Sequence, residues 1–291
     1  MTDPVPGPSP SPTPGYAQPP GGLPPQTALH TQRAVFTEAY AVIPAGVMRD
    51  IVTSFLPGWK ETRAWVLARP LTGFAETFAH LVVEVAPHGG AEAPEPEPGA
   101  EGVIFVTEGE GWLRLDSGEH ALGPGGYAYL PPGLGWQFHN GADHPVRFHW
   151  IRKLWEPAPG IEPPAAFVTN EQEVPPLAMP DTAGRWATTR FVDPEDLAHD
   201  MHVNIVTLEP GASIPFEETH VMEHGLYVLE GKAVYRLNRD WVEVGPGDFL
   251  WLRAFCPQAC YAGGPGRFRY LLYKDVNRLP RLRGPGAFGA V

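Results

Sequence analysis

Apolar residues along this chain come in short runs broken by glycine and proline, such as HLVVEV, VIFVTEG, GYAYLPPG, LYVLEG, AVYRL, DFLWL and RYLLY. The runs are rich in β-branched and aromatic side chains, which suit a pleated, half-buried surface, and the turn residues between them stop each run before a helix could form. The pattern predicts an all-β protein. A helix is expected only at Pro194–Met201, for one turn or two. Two segments stand outside the pattern. Residues 1–32 are so rich in Pro and Gly that they cannot bury enough apolar surface to offset the entropy of ordering, so a disordered tail is expected there. The stretch EPAPGIEPPAAF from Glu156 to Phe167 separates two long blocks of strands and predicts a linker over 156–176.

The two blocks are copies of one another. Gly109, Arg114, Leu115, Gly123, Pro124, Gly125 and Leu130 recur 122 residues later as Gly231, Arg236, Leu237, Gly245, Pro246, Gly247 and Leu252. The same ungapped offset pairs Gly89 with Gly211, Val83 with Ile205, Arg147 with Arg269 and Phe148 with Tyr270. A register held over that distance marks an internal duplication. All-strand repeats of this size favour two tandem small barrels of jelly-roll type, expected over 33–155 and 177–285. The nine Trp and fourteen Phe are expected to fill the two barrels and the interface between them.

Chemistry concentrates in the second copy. In PGASIPFEETHVMEHGLYVLEG, Glu218 and His220 are two apart and His224 follows after four. Strand alternation would send Glu218 and His220 to one face, with His224 joining after a short turn. Two imidazoles and a carboxylate on one wall suit Mn, Fe or Zn and leave positions open for water or substrate. Subtracting 122 puts Pro96, Pro98 and Gly102 opposite these three residues, and Trp136 opposite Gln258. The first copy therefore keeps the scaffold and lacks every donor. Tyr270, Leu272 and Lys274 alternate onto one strand face, so Tyr270 and Lys274 point together. Asp248, after Pro246 and Gly247, reads as ordinary turn chemistry. Glu223 has the opposite parity from the donors, which assigns it to a neighbouring shell or to the surface.

GASIPFEETHVMEHGLYVLEG followed by GPGDFLWL resembles the two motifs of the cupin superfamily, an H-x-H-x₃₋₄-E segment and a later His. Here Glu218 stands where the first His is usual, His224 where the Glu is usual, and Gln258 where the last His is expected. That permutation, with PQACYAGGPGRFRYLLYKDVNR behind it, resembles the (S)-ureidoglycine aminohydrolase family of manganese bicupins, over roughly Ala34 to Pro280. The resemblance implies Mn²⁺ held by Glu218, His220, His224 and Gln258, and a substrate pocket formed by Tyr235, Tyr270, Lys274 and Gln258. It implies hydrolysis of (S)-2-ureidoglycine to (S)-ureidoglycolate and ammonia in purine breakdown through allantoin, with Lys274 and Glu218 taking part in catalysis. The residues alone leave two other readings open: a metal-dependent oxygenase, and a non-catalytic module that holds a small acid.

Charge narrows the partners. Against 33 Asp and Glu stand 21 Lys and Arg, a formal net charge of −12, which repels nucleic-acid phosphates and anionic lipid alike. Neither nucleic acid nor a membrane is an expected partner. A small ureido acid and further copies of the chain are. The N-terminus carries neither the basic start nor the apolar stretch of a secretory signal, and no apolar run reaches the ~18 residues of a spanning helix, so a cytoplasmic location is expected. Cys256 and Cys260 are too few for a disulfide framework and read as buried strand residues in a reducing compartment.

Overall fold

A computed structural model describes residues 34–45, 47, 56–71 and 73–275. The tail expected over 1–32 and the last residues of the second copy lie outside the described residues. Among the described residues every regular element is a strand. The helix expected at Pro194–Met201 is absent, and turns take its place. The reason is local: the Asp193 carboxylate accepts the Glu195 N–H and the Asp196 carboxylate accepts the Ala198 N–H, each at 2.9 Å. Side chains that satisfy the backbone two residues on compete with the helical ladder and favour turns.

The first copy forms a nine-stranded sheet, and the second an eight-stranded and a four-stranded sheet. Pairing crosses the boundary that the repeat suggested. Phe167–Asn170, from the stretch read as a linker, adds antiparallel to Gly126–Leu130 of the first copy. Tyr40–Ile43, at the start of the stretch assigned to the first copy, adds to Phe249–Leu252 of the second. The exchange is symmetric, because Val168 opposes Ala128 while Val42 opposes Leu250, and these two partners are 122 residues apart (250 − 128). Each copy thus covers the other's open sheet edge, where unpaired N–H and C=O groups would otherwise face solvent.

Strand alternation distributes side chains between three cores. One fills the first barrel around Leu113, Phe138 and Phe148, one fills the second around Tyr235, Leu250 and Phe268, and the third lies between the copies. The interface core holds Trp65, Val82, Phe105, Tyr127, Trp251, Leu271 and Tyr273, which bears out the assignment of aromatics to barrels and interface. Strands buried on both faces explain why a run such as VIFV, 103–106, is continuously apolar rather than alternating. Full burial of one such large side chain contributes about 1.5–3 kcal/mol.

Two carboxyl groups are set into this apolar interface at equivalent positions. Glu101 and Glu223 are 122 apart (223 − 101), as are the residues that donate to them, Tyr129 and Trp251 (251 − 129). The Tyr129 hydroxyl donates to Glu101 Oε2 at 2.7 Å, and Trp251 Nε1 donates to Glu223 Oε1 at 2.6 Å. Each then reaches across to the other copy. Burial, and Asp200 beside it, push the Glu101 carboxyl well above its ordinary range. Asp200 in turn accepts from Lys153 Nζ at 2.6 Å. Glu223 accepts from the Glu76 and Thr77 backbone N–H groups, both at 2.9 Å, and from Thr77 Oγ1 at 2.6 Å. Glu223 is therefore buried and joins the copies, rather than lying on the surface.

Candidate metal centre and substrate wall

Glu218 ends the strand Ser213–Glu218, and Gln258 begins the neighbouring strand Gln258–Tyr261 as its direct cross-strand partner. His224 opens the strand His224–Glu230. His220 departs from the expectation that alternation along one strand aligns it with Glu218, because the strand has already ended. A bend through 219–223 brings it back instead, helped by the Phe255 N–H donating to the His220 carbonyl. His220 Nε2 stands 3.5 Å from Glu218 Oε1, and the His220 and His224 rings are 5.0 Å apart between centroids. These contacts link Glu218 to His220, His220 to His224 and, through the register, Glu218 to Gln258. Among the described residues no group of three or more His, Cys, Asp or Glu side chains is drawn close enough to hold a metal ion.

The donors nevertheless have the right chemistry. His224 is 4% exposed, and burial, with His220 and Lys274 alongside, holds its pKa down at about 3. It is a neutral imidazole at physiological pH, the form in which histidine binds a cation. Gln258, 6% exposed, supplies a neutral amide next to the Glu218 carboxylate. The same register that fixes His224 also fixes Lys274: Lys274, at the end of Phe268–Lys274, lies between His224 on one side and His202 on the other as Cα partner of both. Burial lowers the Lys274 pKa, Arg190 lowers it further, and Glu218 draws it back up.

Tyr270 shares the inward face of that strand, as expected, and packs edge-on against Tyr235 with centroids 6.2 Å apart. Both are buried in the core of the second barrel, and burial raises both phenol pKa values. Cys256 and Cys260 are buried free thiols; Cys260 lies in the strand Gln258–Tyr261 as expected, whereas Cys256 falls in the turn before it, and burial pushes the two up to about 11 and about 12. Asp248 does more than turn a corner. Its Oδ2 accepts the Gly245 N–H within the turn, and its Oδ1 accepts the Ala45 N–H at 2.9 Å, pinning the exchanged strand.

In the first barrel the corresponding positions, Pro98, Gly102 and Trp136, line a small cavity and carry no imidazole, carboxylate or amide. Trp136, opposite Gln258 by the repeat, packs edge-on against Trp150 at 5.8 Å and Trp59 at 6.3 Å. Gly102, opposite His224, has to be small: a Cβ there would come within 3.2 Å of Trp150 Nε1. Arg152, opposite Lys274, is tied up by Glu95 and lies over the Trp150 ring at 5.2 Å. No metal-binding side chain stands at these positions of the first barrel, which makes the second barrel the candidate site.

Two duplicated barrels with a polar, donor-bearing mouth in one of them define a bicupin. The family model described as a cupin domain matches residues 81–152 and 204–273, one match in each copy. Two relatives give the particular branch. The (S)-ureidoglycine aminohydrolase of Escherichia coli K12 is 30% identical over 81% of this chain and 87% of its own length. The (S)-ureidoglycine aminohydrolase of Arabidopsis thaliana is 32% identical over 85% of this chain and 79% of its own. The crystal structure of a structural-genomics target from Pseudomonas aeruginosa is 66% identical, covers 93% of this chain and 99% of its own, and superposes with a TM-score of 0.85. The chain belongs to the (S)-ureidoglycine aminohydrolase family of hydrolases.

His202, Asn204 and Arg190 were missed by sequence reasoning. The signal was present as polar residues at alternate positions of HVNIVTL, where Val206 and Leu208 continue the same face into the second barrel.

Proposed function

We propose that the second barrel binds a divalent cation, Mn²⁺ foremost, through Glu218, His220, His224 and Gln258, and that it hydrolyses (S)-2-ureidoglycine to (S)-ureidoglycolate and ammonia as a step of purine breakdown. The observation that carries this reading is the contrast between copies: one scaffold, used twice, offers a carboxylate, two imidazoles and an amide in one barrel and two prolines, a glycine and a tryptophan in the other. The names of the two relatives support the reaction and the substrate. An oxygen- and imidazole-rich donor set without thiolate favours Mn²⁺ over softer metals. When bound, such a cation supplies Lewis acidity and a template for a chelating substrate.

The chain's own residues do the rest. In the reaction a C–N bond breaks and a C–O bond forms at the carbon bearing the amino group, with one water proton ending on the departing amine. Lys274 is suited to carry that proton. Burial and Arg190 enlarge its neutral fraction, so Nζ can accept a proton from water and return it to the leaving nitrogen. Tyr270 and Tyr235 form the apolar wall behind it and keep bulk water from the reacting carbon.

The test is ammonia release from freshly generated (S)-2-ureidoglycine by the manganese-loaded protein, corrected for spontaneous decay and run with and without oxygen. Turnover that is independent of O₂ is expected. Absence of turnover, or turnover only in air, overturns the reading.

A further inference from the structure

His202 and Asn204 lie on one strand, His202–Leu208, whose alternate residues Val206 and Leu208 belong to the core of the second barrel while Val203 and Ile205 belong to the interface. Their side chains therefore enter the same barrel as His224 and Lys274. The sheet register makes the neighbourhood explicit. His202, Lys274 and His224 form one cross-strand row, and Arg190, Asn204, Leu272 and Leu226 form the next. Directly opposed residues in such rows hold their Cβ atoms about 4.5–5.5 Å apart, so all of these groups border one volume.

Both polar groups are incomplete. His202 is 2% exposed and Asn204 3%, and among the described residues neither His202 Nε2 nor Asn204 Oδ1 has a hydrogen-bond partner. Native folds avoid this, because a buried polar atom left unpaired forfeits its hydration without compensation. Two such atoms, two residues apart on one inward face, suit a ligand that brings its own donor and acceptor. A carboxylate offers no donor to the Asn204 oxygen, and a hydroxy acid offers only one freely rotating O–H. A ureido group offers N–H and C=O side by side in one plane.

We infer that His202 and Asn204 are the specificity-determining pair of this site, with Asn204 Oδ1 accepting a ureido N–H and His202 Nε2–H donating to the ureido carbonyl. The inference rests on the function proposed above and adds how the uncharged end of the substrate is recognised. It also gives the division of labour along the wall. His224 and Lys274 face the reacting carbon from one end of the row, and the ureido group extends toward the strand that carries His202.

The experiment is calorimetric titration of the full-length, manganese-loaded protein with two non-reacting probes, N-carbamoylglycine, which carries the ureido group, and glycolate, which does not. For Asn204→Leu, close in shape but without the acceptor, affinity for N-carbamoylglycine is expected to fall at least ~10-fold while that for glycolate stays within about twofold, the discrimination expected of one buried hydrogen bond. His202→Phe carries the same test from the neighbouring position, so a folding failure of one variant leaves the other to decide. Equal loss for both probes, no loss for either, or a wild-type protein that binds the two probes alike overturns the pairing. If wild type releases ammonia from (S)-2-ureidoglycine while both variants bind N-carbamoylglycine normally, the pair alone is overturned. If wild type releases none, the proposed function falls and the recognition falls with it.

Discussion

Glu223→Ala removes the acceptor on which four donors from both copies converge. The Glu76 and Thr77 N–H groups lie at 2.9 Å, and Thr77 Oγ1 and Trp251 Nε1 at 2.6 Å. A hydrogen bond to a charged group is worth about 1.5–3 kcal/mol, so a naive sum over four would be larger than the whole stability of many domains. The Thr77 hydroxyl can turn to another acceptor, since Tyr273 Oη is 2.9 Å away, and water can enter the vacated volume. The two backbone N–H groups and the indole N–H cannot reorient. An unpaired buried donor costs about 1–3 kcal/mol, so three of them, partly relieved by entering water, make a loss of about 3–5 kcal/mol the expected outcome. For a chain of this size each kcal/mol moves the melting temperature by about 2–4 °C, so thermal unfolding followed by circular dichroism should show a drop of about 6–20 °C. Glu223→Gln keeps one acceptor but turns an NH₂ toward donors, and a smaller loss of about 1–3 kcal/mol is expected. A Glu223→Ala melting temperature within about 2 °C of wild type would refute the argument, since it would mean these donors are satisfied without the carboxylate.

Further outcomes follow from the same geometry. His80 and His149 are fully buried and hydrogen-bonded to each other at 2.9 Å, and burial holds the His149 pKa at about 3. The unfolded chain then binds a proton near pH 6.5 that the folded chain refuses, so stability is intact above pH 6.5 and is lost as pH falls; between pH 7 and 5 His149 alone should cost about 2 kcal/mol, a slope that His149→Gln should lack in melts across that range. Elemental analysis should give one tightly held ion per chain, because Pro96, Pro98, Gly102 and Trp136 offer no ligand in the first barrel, and two ions per chain would contradict it. His224→Ala should lose that ion while the fold persists, its melting temperature losing only the increment that the ion contributes by mass action; full metal content in this variant would remove His224 from the donor set. Lys274→Met should keep the ion and lose at least ~10²-fold in kcat, the low end of what a positioned acid or base contributes, whereas near-normal kcat would return Lys274 to a rim role.

The all-β class, the duplication and the identity of the donor-bearing copy are all legible in the chain alone. Those features are local or additive. Turn residues punctuate each run where they stand, and an offset of 122 can be subtracted without knowing how strands pair. The sequence also aligned Tyr270 with Lys274 correctly, because alternation within one strand needs no partner. Expectations failed where the deciding neighbour is distant in the chain. The stretch around Phe167 forms a strand because an open edge of the first sheet accepts it. Pro194–Met201 is the exception, where the reason is local: Asp193 and Asp196 cap the backbone and hold turns in place of a helix. His220 reaches its place through a bend rather than along a strand, and Glu223 faces the interface because residues 76–77 come from the other copy to meet it. The row of His202, Lys274 and His224 could not be read from the chain, since a residue's cross-strand partners are set by register, and a shift of one position would send each of these side chains to the opposite face.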